Sequence, residues 1–246
     1  MPKPPASIPI ELYDEFTMGR TIPVYDKYID NASEEGRTDI TPNFTAAKFQ
    51  QFLEKVRRRE ENYYGQTDSW LYHALTMYPI TNKDVCIIGS ACPWYEAIAT
   101  VYGAKRITVI EYADIPEYIS PDLIRYIKPH EVNKKFDACI SISSFEHDGL
   151  GRYGDPINPN GDIEAMQKVK DYIKPNGILY LAVPLGRDAI YWNAHRIYGD
   201  LRFRKLIDGW NIEMMFGYDP KLATTCQHAC YQPVIVLEPL KTSQWK

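Results

Sequence analysis

The sequence predicts an α/β doubly wound sheet, mostly parallel, with an antiparallel hairpin at its C-terminal edge and an N-terminal arm and helices. Three observations predict it. Short β-branched runs alternate with helical patterns from Val85 onward. The first of them opens a strand–turn–helix–strand unit between Val85 and Glu111, VCIIGSACPWYEAIATVYGAKRITVIE. The last two runs, Ile212–Phe216 and Val234–Leu237, have too little chain between them for a helical crossover, so they are expected to pair antiparallel.

Residues 1–42 are rich in Pro, Tyr and acids without sustained periodicity, and read as an extended arm over the domain rather than a separate fold. The remaining residues, 43–246, read as one α/β domain with helices at its start. A helix is expected from about Asn43 to Glu60, because Phe49, Phe52, Leu53 and Val56 make one apolar face. Arg57, Arg58 and Arg59 suit its C-terminal dipole. A second helix spans roughly Thr67 to Tyr78 and stops at Pro79. Strand one is Val85–Ile88, followed by a helix over Pro93–Tyr102 and strand two over Ile107–Glu111. A weakly marked third strand lies near Leu123–Ile127, and strand four is Ala138–Ser143. A helix over Ile163–Tyr172 leads through Lys174-Pro175-Asn176-Gly177 to strand five, Ile178–Val183. One more helix is expected near Leu201–Ile207 before the terminal hairpin.

With 246 residues, 45% hydrophobic and 24% charged, the chain has the make-up of one sizeable globular domain. A net charge of −4 and a pI near 5.8 give no electrostatic reason to expect nucleic acid or an anionic membrane as partner. No apolar stretch reaches the roughly 20 residues of a membrane span and the first residues carry no signal-peptide core, so a cytoplasmic location is expected. Cys86 and Cys139 fall in buried strands, where thiols act as small hydrophobes. Cys226-Gln-His-Ala-Cys230 lacks a second ligand pair for zinc, and no metal site is expected. The 19 tyrosines suit stacking on sugars or flat ligands.

The strand-one unit carries the chemistry. Glu111 stands 22 residues after Gly89, near the spacing at which an acid in a βαβ unit reaches a ribose diol, so the ligand should carry a nucleoside. The turn is Gly-Ser-Ala-Cys-Pro, without the later glycines that admit the pyrophosphate of NAD. This segment resembles the first motif and second-strand acid of Rossmann-like, S-adenosylmethionine-dependent methyltransferases. Gly89 matches the family's first glycine and Glu111 its acid, whereas Ala91 and Pro93 depart from the later glycines. The resemblance implies S-adenosyl-L-methionine as cofactor, held by Gly89, Ser90, Ala91 and Trp94 of the first turn. Glu111 and Tyr112 at strand two and Ser143 and Ser144 at strand four complete that set.

After strand four runs a long connection, SSFEHDGLGRYGDPINPNGD from Ser143 to Asp162, with four glycines and two prolines. Such loops are uncommon unless functional, and this one leaves the strand end where open α/β sheets hold ligands. A cluster after strand five, Pro184 to Arg196, leaves the same edge with Trp192, Asn193, His195 and Arg196. Together GSACPWYEA, SSFEHDGLGRYGDP and NAHR resemble a methyltransferase-like family of nematodes and other eukaryotes. They are also similar to the sugar O-methyltransferase domains of the glycan-building proteins of large algal viruses. What that implies is methyl transfer to a hydroxyl of a carbohydrate, a glycan or sugar nucleotide, with a deoxyhexose among the candidates. It also leaves open that the chain is a domain of a larger glycosyltransferase polypeptide. His147 is the expected general base, with Asp148 or Asp155 orienting or replacing it. Arg152, Tyr153, His195 and Arg196 would grip the acceptor, and Glu146 is the structural candidate beneath the cofactor. Other readings are methylation of another small molecule, such as a carboxylate held by Arg152 or Arg196, and a binding or scaffold domain that keeps the fold without the chemistry.

Overall fold

The computed structural model describes residues 3–31, 33, 43–112, 115, 120 and 122–240. Helix α1 (Tyr13–Phe16) and strand β1 (Val24–Lys27) belong to the arm. Helices α2 (Ala46–Arg57) and α3 (Gln66–Met77) precede the alternating part, β2 (Asp84–Ile88), α4 (Trp94–Val101), β3 (Arg106–Ile110) and β4 (Ile124–Ile127). The second half follows as β5 (Phe136–Ile142), α5 (Gly161–Tyr172), β6 (Ile173–Ala182), β7 (Ala189–Asn193), β8 (His195–Ile197), α6 (Asp200–Leu206), β9 (Trp210–Phe216), α7 (Leu222–Thr225) and β10 (Val234–Pro239).

Seven strands form the main sheet in the order β4-β3-β2-β5-β6-β10-β9. The β4-β3-β2-β5-β6 pairs are parallel, and β10 lies antiparallel to both β6 and β9. The chain winds outward from β2 in one direction, then returns to β5 and winds outward in the other. The switch point is therefore between β2 and β5, and a ligand belongs in the crevice beyond their carboxyl ends. The expected terminal hairpin is present, with β10 inserted between β6 and the edge strand β9.

Strand alternation splits the core into two layers. Val85, Ile87, Ile107, Val109, Ile140 and Tyr180 face α2, α3 and α4, while Cys86, Cys139, Leu179 and Leu181 face α5 and α6. Full burial of each large aliphatic side chain contributes roughly 1.5–3 kcal/mol. On α2 the buried residues are Phe49, Phe52, Leu53 and Val56, as the periodicity requires, and Thr45 caps the helix by accepting the Lys48 N–H at 3.2 Å. Strand β6 starts five residues ahead of the expected Ile178, because Ile173 already pairs with Phe136 and an irregularity in the ladder takes up the Pro175–Gly177 segment.

The cluster expected at the ligand edge after β6 is itself largely sheet. Residues 189–197 fold into β7 and β8 and take β1 of the arm as a third, parallel strand, Val24 opposite Ile190. Beneath this small sheet a third core joins Ile8, Phe16 and Ile22 of the arm to Leu150, Ile190 and Trp192. Phe16 meets the Trp192 ring edge-on at 5.3 Å, and the indole N–H donates to Pro5 O at 3.1 Å. The arm thereby clamps the loop after β5 against the β7–β8 hairpin. No helix among the described residues is long and apolar enough to cross a membrane.

Candidate active site

Two chain segments meet at the switch point. Gly89 ends β2 with φ +76°, and a Cβ there would come within 2.5 Å of Ser144 Oγ. Only glycine combines that left-handed backbone with so close an approach. Glu111 closes the neighbouring strand, and its carboxylate accepts the Ser90 N–H at 2.8 Å and the Tyr112 N–H at 2.7 Å. Two backbone donors fix the carboxylate at the mouth of the crevice, where its oxygens suit a pair of hydroxyls. Ser90 also donates its hydroxyl at 2.7 Å to Glu96, a wholly buried carboxyl on α4 that burial lifts to about 7. The turn is thus tied to Glu111 through its backbone and to α4 through its side chain.

Of the other residues expected at the cofactor, Ala91 and Tyr112 are exposed beside this turn, and Ser143 and Ser144 are half-buried across the crevice. Trp94 is placed differently. It lies in the core with its ring edge-on to Phe52 at 5.2 Å, because the first turn of α4 packs inward on α2.

The loop after β5 begins with a 3-10 turn at Phe145–His147. Ser143 precedes it with φ +53°, a left-handed backbone that costs an L-residue roughly 1–2 kcal/mol. Its hydroxyl donates to Glu146 Oε1 and accepts from Gln232 Nε2 at 3.2 Å. Glu146 is buried, its other oxygen has no hydrogen-bond partner among the described residues, and burial lifts its carboxyl to about 7 against the pull of Ser143, Arg152 and Arg196. His147 Nδ1 lies 2.6 Å from Ala194 O, and a carbonyl only accepts, so the ring carries its proton on Nδ1. Nε2 is 3.7 Å from Glu146 Oε1. Burial and the nearby Arg152 lower His147 to about 3, so the ring is neutral throughout the physiological range.

The two aspartates of the loop differ. Asp155 accepts the N–H groups of Gly149 and Gly151 at 2.7 and 3.0 Å and of Tyr153 at 3.3 Å, so it ties the loop to itself. Asp148 is half-buried, and burial with the adjacent Asp155 pushes its carboxyl well above the usual range.

The expected acceptor residues also divide. Tyr153 is 48% exposed, meets His147 edge-on at 5.5 Å and carries the Arg152 guanidinium over its ring at 4.8 Å. Arg152 donates to Asn31 Oδ1 of the arm at 2.9 Å and to Ala194 O at 3.2 Å. His195 is buried, stacked on Tyr191 at 5.0 Å, and burial lowers it to about 4. Arg196 does not reach an acceptor. Only 1% exposed, it donates to Asp148 O at 2.6 Å and lies 3.7 Å from Asp162. Burial alone would raise Asp162, yet Arg196 and Arg202 hold it below the ordinary carboxylate range. This sealed ion cluster braces the loop from beneath, and breaking it would strand a buried charge.

Sequence reasoning missed two contributors. Tyr64, from the segment ahead of α3, faces Ser143 and Glu146, and Gln232, two residues before β10, holds Ser143. Neither sits in a motif; each reaches the crevice only through tertiary packing. Among the described residues no group of three or more His, Cys, Asp or Glu could hold a metal ion.

A family model described as "Caenorhabditis protein of unknown function, DUF268" matches residues 82–232. The chain belongs to the DUF268 family. The matched segment runs from the lead into β2 to Gln232, so the DUF268 portion contains Gly89, Glu111, Ser143 and Glu146 but neither the arm nor Tyr64. No curated protein matches the DUF268 chain.

Solved structures resemble it in fold. The 1,6-didemethyltoxoflavin-N1-methyltransferase of Burkholderia thailandensis, with 1,6-didemethyltoxoflavin and S-adenosylhomocysteine bound, is 13% identical at a TM-score of 0.51, over 78% of this chain and 87% of that one. The N-methyltransferase NodS of Bradyrhizobium japonicum WM9, in complex with S-adenosylhomocysteine, is 13% identical at a TM-score of 0.51, over 80% and 98%. An S-adenosylmethionine-dependent methyltransferase of Clostridium acetobutylicum is 12% identical at a TM-score of 0.50, over 79% and 99%. The DUF268 chain therefore has the Rossmann-like methyltransferase fold.

Proposed function

We propose that the protein is an S-adenosylmethionine-dependent methyltransferase that transfers a methyl group to a hydroxyl of a carbohydrate or a related small polar acceptor. The observation that carries the cofactor is Glu111, a carboxylate fixed by the Ser90 and Tyr112 N–H groups at the switch-point crevice. The donor set fits. A carboxylate whose oxygens each hold two lone pairs matches a ribose diol, and Gly89 lets the backbone come close to the ligand. When bound, the cofactor supplies an electrophilic methyl on a sulfonium that leaves without acid assistance.

The protein's own residues then bind and align. Glu111 would hold the ribose and the Gly89–Ala91 turn the methionine part, with Ser143 and Ser144 across the crevice just beyond the end of β5. The acceptor oxygen must be held about 3–3.5 Å from the methyl carbon, in line with the breaking bond. Tyr153, Tyr112 and Tyr63 expose large aromatic surface, and Tyr153 and Tyr63 lie within one another's electrostatic reach beside Glu146 and Glu111. Such rings stack on the C–H faces of a sugar while leaving its hydroxyls to polar groups. That surface, with the resemblance to sugar O-methyltransferase domains, supports a carbohydrate acceptor. Methylation of a carboxylate held by Arg196 has less support, since that guanidinium is sealed beneath the loop.

The test is a screen of sugars and sugar nucleotides with methyl-labelled S-adenosylmethionine, followed by mapping of the label. Label is expected on a sugar oxygen. Label on a nitrogen or carboxylate of another small molecule would overturn the acceptor class, and failure to bind the cofactor at all would overturn the activity.

A further inference from the structure

We propose that Glu146 receives the proton that the acceptor hydroxyl loses, delivered through the Ser143 hydroxyl. This rests on the methyltransferase reading and names the proton path that the reading requires.

The geometry is that of a relay. A serine hydroxyl has one proton to give and two lone pairs to accept with. Ser143 gives its proton to Glu146 Oε1 and accepts from Gln232 Nε2 at 3.2 Å, so one lone pair can take an incoming hydroxyl. Tyr64 faces the same hydroxyl from the segment ahead of α3, which marks the side from which a hydroxyl reaches it. Ser143 holds its place at the end of β5 by donating its N–H to Ala182 O at 2.8 Å and by adopting a left-handed backbone. Strained backbone of this kind clusters where function requires it.

Glu146 suits the receiving end. It is buried, 1% exposed, one oxygen is on the relay, and Oε2 lacks a hydrogen-bond partner among the described residues. A carboxyl that ionises near 7 is matched to proton uptake near neutral pH. The charged and titratable groups around it are accounted for. His147 is neutral, with its proton on the side facing Ala194 O. Arg152 and Arg196 favour the ionised form, while Asp148, Tyr64 and Tyr153 are each held neutral more firmly than usual, burial being the largest cause in each. His147, held near 3, is too weak a base for the task, and Asp155 is committed to three backbone N–H groups.

The step balances. The acceptor oxygen bonds to the methyl carbon as the carbon–sulfur bond breaks, and that electron pair stays on sulfur. The acceptor's proton passes to Ser143 Oγ, whose own proton crosses to Glu146 Oε1. The neutral carboxylic acid later releases it to water, and the products are a methyl ether and a neutral thioether.

Two readouts test it. The first needs no cofactor: difference infrared spectra between pH 5 and 9 on the wild type, Glu146→Gln and Ser143→Ala. Protonated-carboxyl absorption titrating with midpoints near 7 is expected from both Glu146 and Glu96; the Glu146 component should be lost in E146Q and displaced in frequency in S143A, while the Glu96 component stays. The second is the pH profile of methyl transfer to methyl glycosides of deoxyhexoses as probes. In the wild type kcat should rise about tenfold per pH unit below the midpoint and level off above it. E146Q and S143A should each lose about 10²-fold in kcat. E146Q should lose the pH dependence, and Glu146→Asp should restore part of the rate with a shifted midpoint. Calorimetric affinity for S-adenosylhomocysteine should stay within about twofold in E146Q and Glu146→Asp, which a loss of fold at the crevice would not permit. A midpoint near 4.5 for the component lost in E146Q, or an E146Q profile that keeps the wild-type rate and slope, would overturn the relay. Failure of the wild type to bind S-adenosylhomocysteine would instead overturn the methyltransferase reading, whatever the infrared band does.

Discussion

Replacing Glu96 with Gln probes how the ligand turn is anchored. Glu96 is fully buried in the first turn of α4, where its Oε1 accepts the Ser90 hydroxyl at 2.7 Å and its carboxyl also faces the Tyr126 hydroxyl. Burial moves its ionisation from 4.5 to about 7, with Glu111 adding to the shift. The native state therefore holds a proton that the unfolded chain has already released between those values. Stability must fall as pH rises through that window, and the loss is complete above 7. At about 1.36 kcal/mol per unit, the change between pH 5 and 8 is roughly 2.5 kcal/mol. Gln keeps the shape and an acceptor for Ser90 but cannot ionise. Urea unfolding of both proteins at pH 5 and pH 8 isolates this group, because other titrations, Glu146 included, are common to both. E96Q should gain about 2.5 kcal/mol on the wild type between the two conditions. A difference between the proteins that is the same at both pH values would refute the claim that Glu96 is held neutral under the turn.

Two further outcomes follow from the crevice. Gly89→Ala places a Cβ 2.5 Å from Ser144 Oγ at φ +76°, which should lower Tm by roughly 2–8 °C and weaken S-adenosylhomocysteine at least tenfold by calorimetry; unchanged affinity would remove the turn from the site. Nitrogen NMR of His147 should show a neutral ring protonated on Nδ1 from pH 5 to 8, and a midpoint near 6.5 would contradict its burial. Because the unfolded histidine protonates first, His147 also makes acid destabilising from about 6.5 down toward 3, the opposite slope to Glu96.

The main sheet was legible because parallel strands buried on both faces must be short apolar runs, and Val85–Ile88, Ile107–Ile110 and Ala138–Ile142 are such runs. The Gly89–Glu111 spacing placed the crevice for the same reason: one βαβ unit fixes it locally. The small sheet was not legible. Val24–Lys27 pairs with residues from the far half of the chain, and nothing in the arm's sequence names that partner. Residues 184–196 read as a ligand loop because they carry Arg, Asp, Asn and His, yet Ile190 and Trp192 bury against the arm. Arg196 illustrates why: a charge beside His195 and Asn193 suggests an acceptor contact, and only the fold shows Asp162 beneath it. Glu146, the structural candidate of the sequence, is folded inward by its turn, but nothing in the sequence names the hydrogen bond it receives from Ser143.

The central claim, a nucleoside cofactor held by Glu111, is tested most directly by calorimetric titration of S-adenosylhomocysteine into the wild type and Glu111→Ala. The wild type should bind in the micromolar range. E111A should lose at least tenfold while melting normally, since two charge-assisted hydrogen bonds to the ribose are each worth roughly 1.5–3 kcal/mol. Equal affinity in the two proteins, or no binding by the wild type, would contradict the account.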